Sequence, residues 1–338
     1  MSAALKTAPI LAGPRSQRML AALCLVFGLC SVAPLLAWVY GLGLFALWFW
    51  LLAAPGLLFV SGLGIYLHRS GRHPELLSAL IAGALGGLVG TIAYDVCRLP
   101  FLAAGYRLFA PISSYGLLIL NTSHSSPWTE FVGWLYNFAN GIGFGVGYAM
   151  VARGRRWWWA IPWAFGLETM TIVTPYAGVY GLAGHLDIIA IAYGAHFFYA
   201  IPLGVICRQS AAWGSGRDAP VPVWWGLVAV AAFLVAWFHP WVMPAQLATA
   251  EATRPGPAVL VQDGRFQPEW VRVAQGGCVL MVNQDQRSYT PGVPAKSDAL
   301  GPGHSARYCY PTAGIKRVQF GGVPYSGGFV IVDPALRP

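Results

Sequence analysis

Glu168 and His196, each near the middle of an apolar stretch, are the residues of this chain most open to chemistry. Glu168 stands in Phe-Gly-Leu-Glu-Thr-Met-Thr with no cation three or four positions away, and His196 is flanked at those distances by Tyr193 and Tyr199. An ionisable side chain inside a membrane span is costly and needs a partner or a function. The short connection between the two stretches would make them neighbours, so carboxylate and imidazole can meet. Such a pair binds a metal or a proton, or the two groups simply satisfy one another. Asp95 and Arg98, at i and i+3 in Ala-Tyr-Asp-Val-Cys-Arg-Leu-Pro, share a helix face and can pair. Asn137 and Asn140 share a face of a glycine-rich stretch suited to close helix approach and interhelical hydrogen bonds. Nearer the stretch ends stand His124, Glu130, His185 and Asp187. Imidazoles and carboxylates of this kind can bind zinc, copper or iron, but their spacing fits no named metal motif and solvated loop residues are the simpler reading.

These residues need a membrane bundle to position them. Hydrophobic residues make up 57% of the chain and charged residues 10%, and a span needs about 20 mostly apolar residues. Seven spans are predicted, at 19–39, 43–66, 77–97, 129–152, 157–179, 186–206 and 222–243, with a turn at Gly41 and Gly43. The stretch 99–126, interrupted by Arg107 and prolines, reads as an external hairpin or a re-entrant element. With the N-terminus inside, inner segments carry Lys6, Arg15, Arg18, Arg69, Arg72, Arg153, Arg155, Arg156, Arg208 and Arg217, and outer loops only Arg98 and Arg107. That asymmetry follows the positive-inside rule, so the net charge of +9 is a topology signal. No basic, aromatic-laced patch points to nucleic acid. No Walker loop, H-E-x-x-H or G-x-S-x-G motif supports an NTPase or hydrolase of those types. The lysines are Lys6, Lys296 and Lys316, none in a span, so a retinal Schiff base has no partner.

The last eighty residues have a different pattern. Gly264 to Asp285 carries an F-x-P-x-x-V-x-V strand, a glycine turn, an alternating strand and an N-x-D corner. Leu300-Gly-Pro-Gly-His-Ser305 supplies a PG-x-S turn, and Gly328-Phe-Val-Ile-Val332 a closing strand. Over roughly 259–334 this order resembles the cupredoxin, or blue-copper, family. The resemblance implies a Greek-key β-sandwich and, in the family, a copper held by two imidazoles, a thiolate and a weak thioether. Aligned on the family pattern, the four ligand positions fall on Tyr289, Phe320, Val323 and Ser326. None is a ligand type, so the resemblance implies a fold kept without copper, with Tyr289, Phe320 and Tyr325 filling the site. It also places Cys278 and Cys309 in neighbouring strands, where an oxidising compartment would favour a disulfide.

The expected architecture is therefore a multi-domain membrane protein. A cytoplasmic tail (1–18) precedes an all-α polytopic bundle (19–243), a linker (244–258) and an all-β cupredoxin-like domain (259–338) outside a plasma (inner) membrane, periplasmic or extracellular. The leading functional expectation is a membrane subunit or accessory factor whose β-domain, lacking copper, recognises a partner in a membrane complex or shields an outward-facing polar cavity. The alternatives are a metal-binding or redox enzyme with an intramembrane Glu/His site, and a proton-coupled transporter of small solutes using the same residues.

Overall fold

The computed structural model describes residues 14–104, 106, 108–122, 125–180, 182, 185–213, 257–292, 299–321 and 326–333. Its N-terminal part is helical. Helix α1 (Arg15–Leu29) passes through one tight turn into α2 (Ala33–Val39). The chain then reverses at Gly41 and Gly43, whose positive φ values of 70° and 127° suit glycine. Next come α3 (Phe45–Trp48), α4 (Ala54–Ser70), α5 (Pro74–Val96), α6 (Leu99–Ala103), α7 (Ala110–Leu120) and α8 (Pro127–Ala152). The helices α9 (Ala160–Ile172), α10 (Tyr176–Val179) and α11 (Leu186–Gln209) follow.

Among the described residues four stretches are long and apolar enough to cross a bilayer: Arg15–Val39, Phe45–Ser70, Pro74–Leu102 and Leu186–Ala212. The expected count of seven is corrected accordingly. Residues 129–152 do form one long helix, but Glu130, Asn137, Asn140 and five glycines dilute its apolar content. Residues 157–179 break after Ile172, because Pro175 disfavours helix at the residue before it, leaving α9 with 13 residues. The stretch 222–243 and nearly all of 244–258 lie outside the described residues.

Helices α5 and α8 meet through glycine. A Cβ on Gly83 would lie 2.6 Å from Val146 Cα, and one on Gly87 would lie 2.9 Å from Ile142 Cα. Backbones this close bring short side chains across the interface into hydrogen-bond range. At one end of the bundle Arg153 ties α8 to its neighbours, donating to Glu75 O (3.1 Å), Ser78 Oγ (2.9 Å) and Ser210 O (2.6 Å). Arg98 and the β-domain lie at the other end.

The β-domain is one curled sheet in the order β4-β3-β1-β2-β6-β5. Its strands are β1 (Ala258–Gln262), β2 (Arg265–Ala274), β3 (Cys278–Asn283), β4 (Ser305–Cys309), β5 (Gly314–Val318) and β6 (Gly327–Asp333). Strand β1 turns into β2 over Asp263-Gly264, both at positive φ (51° and 68°), the two-residue turn that matches strand twist. Strands β1 and β3 run parallel, as do β2 and β6. The register of β2 slips between Arg265 and Trp270, so its first half pairs with β1 and its second with β6. Cys278 and Cys309 stand opposite each other and form a disulfide. With a sequence separation of 31, the crosslink is worth about 3–4 kcal/mol on a chain-entropy basis.

Strand β6 is buried on both faces. Val330 and Val332 join Val259, Val261, Val271 and Phe320 inside the domain, while Phe329 and Ile331 join a cluster with Trp38, Tyr115, Leu117 and Trp134 of the helices. Trp270 stacks on Phe329 at 4.4 Å. Arg272 is held bidentately by Asp333 (2.6 and 2.9 Å) and donates to Leu117 O in the last turn of α7 (3.3 Å). A guanidinium there also complements the negative end of the helix dipole.

The N-x-D corner is built from side chains. Asn283 donates to Arg287 O (2.7 Å) and Leu300 O (2.9 Å). Asp285 accepts from the N–H groups of Asp263 (2.8 Å) and Gly264 (2.9 Å) and from the Tyr289 hydroxyl (2.7 Å). Burial alone would raise the Asp285 carboxyl; donation from Gly264, Tyr289 and Asp263 outweighs it and holds the group below its ordinary value. A depressed folded-state value contributes stability above the unfolded value of about 3.9, and the contribution is lost as pH falls through the folded one. Asp285→Asn should therefore melt below wild type at pH 7, and the gap should close below about pH 4. Thermal melts of the two proteins across that range check this, and a gap unchanged at low pH would refute it.

Candidate functional site

The six polar residues expected in the membrane region come together where α5, α8, α9 and α11 meet. Just past the end of α5, Arg98 Nη1 lies 3.2 Å from Asp95 Oδ1 in its last turn, both side chains buried. From α8, Asn137 Nδ2 donates to the other Asp95 oxygen at 3.1 Å. Arg98 also donates to Leu108 O and lies over the rings of Tyr94 (4.7 Å) and Phe109 (4.6 Å). Its charge is thus met by a carboxylate, a carbonyl and two π faces. On the next helix pair, His196 Nδ1 stands 3.4 Å from Glu168 Oε2 and 2.9 Å from Ala192 O. A backbone carbonyl can only accept, so Nδ1 carries a hydrogen. Tyr94 connects the two groups, meeting His196 edge-on at 4.9 Å. Asn140 is one turn beyond Asn137, and its Oδ1 is buried without a partner.

Two cavities share this cluster. The outer one, about 280 Å³, has Tyr94, Arg98, Glu168, Tyr176 and Asp187 on the helical side and Ile315, Arg317 and Phe329 on the sheet side. The inner one, about 140 Å³, lies among Leu35, Leu36, Tyr94, Asn137, Asn140, Glu168, Met170 and His196. Glu168, Tyr94 and Tyr176 belong to both walls.

The metal candidates do not assemble in this way. His185 and Asp187 are exposed at the head of α11, where Asp187 accepts from the Tyr106 hydroxyl at 3.1 Å. His124 lies outside the described residues. Among the described residues no three His, Cys, Asp or Glu side chains are grouped to hold an ion. Glu130 instead accepts from Ser113 Oγ at 2.7 Å, joining α7 to α8.

The positions where cupredoxins hold copper carry other chemistry. Tyr289 packs on Phe320 at 4.7 Å, and Phe320 on Phe266 at 6.0 Å. Ser326 Oγ accepts from Phe320 N–H (2.9 Å) and donates to Phe320 O (3.2 Å). Val323 and Tyr325 lie outside the described residues. A phenol committed to Asp285, a phenyl ring and a hydroxyl committed to backbone do not fit a blue-copper ion, which needs a thiolate and imidazoles.

Comparison with known proteins bears on the sheet. No family model and no curated protein matches the chain. Among solved structures, an oxidised methionine-to-lysine variant of amicyanin is 17% identical over 27% of this chain and 94% of its own, with a TM-score of 0.22. A copper-containing nitrite reductase from Thermus scotoductus SA-01 is 20% identical over 27% of this chain and 25% of its own, with a TM-score of 0.21.

The tyrosines of the site were not picked out by the sequence reading. Tyr176 and Tyr180 stack at 4.4 Å, Tyr180 bonds to Ser114 Oγ at 2.8 Å, and Tyr115 approaches the Tyr176 hydroxyl at 3.5 Å. Their signal was Thr-Pro-Tyr-Ala-Gly-Val-Tyr, where two tyrosines four apart after a proline fall on one face of a helical turn.

Removing one member of a buried ion pair strands the other. Arg98→Met should cost about 3–5 kcal/mol of unfolding free energy, and adding Asp95→Leu should recover part of that loss. Unfolding of both variants in detergent measures it; a double variant less stable than the single one would contradict it.

Proposed function

We propose that this chain is an integral membrane protein whose β-domain roofs a polar cavity at the outer end of its helices and that it works as an accessory subunit of a membrane complex. The carrying observation is the shared wall: Ile315, Arg317 and Phe329 of the sheet close a cavity whose other side holds Arg98, Glu168 and Asp187. Several features support the reading. Apolar helices suit a bilayer. The end bearing Arg153, Arg155 and Arg156 would be cytoplasmic by the positive-inside rule, which puts the β-domain on the opposite, periplasmic or extracellular side. The Cys278–Cys309 disulfide suits an oxidising compartment. A cupredoxin-like sheet with aromatic residues at the ligand positions keeps its surface for recognition, and the partner would be another membrane protein. In this layout 1–18 is the inner tail, 19–243 the membrane domain, 244–258 the linker and 259–338 the outer domain.

The roof can be tested by accessibility. A cysteine placed at Ile188, on the cavity wall, should react slowly with a membrane-impermeant maleimide applied from outside. Adding Phe329→Ala should speed the reaction about tenfold by loosening the roof. Equal rates in the two backgrounds, or labelling only from the cytoplasmic side, would overturn the proposal.

A further inference from the structure

The end of the bundle away from the β-domain holds a cation whose countercharge is not supplied by the described residues. Arg153, half-buried just past α8, commits its N–H groups to neutral acceptors. Nε donates to Ser210 Oγ (3.2 Å), Nη1 to Glu75 O (3.1 Å), and Nη2 to Ser78 Oγ (2.9 Å) and Ser210 O (2.6 Å). Among the described residues the ion pairs are Asp95–Arg98, Glu168–His196 and Arg272–Asp333, none of them at this end. A guanidinium keeps its proton when partly desolvated, so its charge acts on whatever lies beside it. The neutral acceptors fix the Arg153 fork and leave that charge to be met from outside.

More positive charge surrounds it. Gly154 N–H donates to Cys207 O (3.2 Å), which sets the turn after α8 against the end of α11 and places Arg155 and Arg156 near Arg208. The bond to Glu75 O brings the turn before α5, with Arg69 and Arg72, to the same end. These five arginines are exposed, and Glu75 is the one described carboxylate in the same segments. Trp158 and Trp159, in the turn that opens α9, stack at 5.2 Å and are 42% and 45% exposed. Arg155 lies over the Trp159 ring at 5.9 Å. Exposed indoles suit the depth where acyl chains meet headgroups, and the arginine fork matches phosphate oxygens. A loop that merely follows the positive-inside rule has no need of a half-buried guanidinium lacking a carboxylate. From these observations we infer that the α8–α9 turn and the end of α11 bind the phosphate of an anionic phospholipid. Arg155, Arg156 and Arg208 hold it beside the Arg153 charge, and an acyl chain lies on Trp158 and Trp159. The site rests on the membrane reading above and is independent of the roof.

The test uses the full chain in nonionic detergent, titrated with dioleoylphosphatidylglycerol or dioleoylphosphatidylcholine, with retained lipid counted by native mass spectrometry. One phosphatidylglycerol per chain should be held at least about tenfold more tightly than phosphatidylcholine, whose choline cancels the phosphate charge. Arg155→Gln combined with Arg156→Gln should cut that preference to about twofold or less. Arg69→Gln combined with Arg72→Gln, on the neighbouring turn, should leave most of it. Equal retention of the two lipids by wild-type protein would overturn the inference. So would equal losses in the two double variants, the mark of a diffuse positive surface, or displacement of phosphatidylglycerol by inorganic phosphate, the mark of an anion site without a lipid. If the Arg155/Arg156 variant does not fold, the wild-type ratio decides. Phe329→Ala should leave the ratio intact, and a protein holding both lipids equally would still be a membrane protein, so the two proposals fail separately.

Discussion

The buried Arg98 guanidinium is the constraint around which the site is organised. Arginine does not shed its proton in a protein, so a buried one must be compensated rather than neutralised. Desolvating it costs several kcal/mol, and one carboxylate repays this only with good geometry and further hydrogen bonds. Asp95 gives the charge, Leu108 O a second acceptor, and Tyr94 and Phe109 two faces. Each partner fixes a different element: Asp95 draws Asn137 and hence α8, Leu108 positions the start of α7, and Tyr94 is pressed against His196 of α11. The floor of the outer cavity therefore has little freedom to move.

The roof follows from a second constraint, the double burial of β6. Its run Gly-Gly-Phe-Val-Ile-Val-Asp has apolar residues on both faces, and a strand of that kind must be covered on both. The sheet's own core covers Val330 and Val332, and the helices cover Phe329 and Ile331. Arg272 sets the registration, because its fork is filled by Asp333 and its remaining nitrogen reaches the end of α7. The β-domain is seated on the element that Arg98 positions, so floor and roof are mechanically linked.

The sequence carried some of this and hid the rest. The strands and the Asn283–Asp285 corner were legible because turn residues and alternation are local signals, and the Cys278–Cys309 pairing followed from the cupredoxin resemblance. Asp95 and Arg98 were legible for the same reason, being three apart on one helix. The encounter of Glu168 with His196 could be raised from their similar depth and short connection, though not their distance. Two readings misled. Counting apolar windows made 157–179 a span, although Pro175 ends α9 far too early. The continuous apolar run of β6 was taken as a closing strand only, and its second face, the sign of docking, went unread. Tyr176 and Tyr180 were hidden because an isolated tyrosine pair looks like ordinary interfacial anchoring.

The polar cluster lies toward the β-domain, and among the described residues nothing comparable continues through the middle of the bundle. At Gly83, Gly87, Gly141 and Gly145, α5 and α8 close on each other backbone to backbone, and the buried residues toward the Arg153 end include Leu80, Val146, Ala149 and Met150. Glycine packing brings Asn137 to Asp95. Glu168 borders both the roofed cavity and the inner one. Tyr94 is likewise shared by both walls, and the Arg98 guanidinium over its ring braces the element that separates the two cavities.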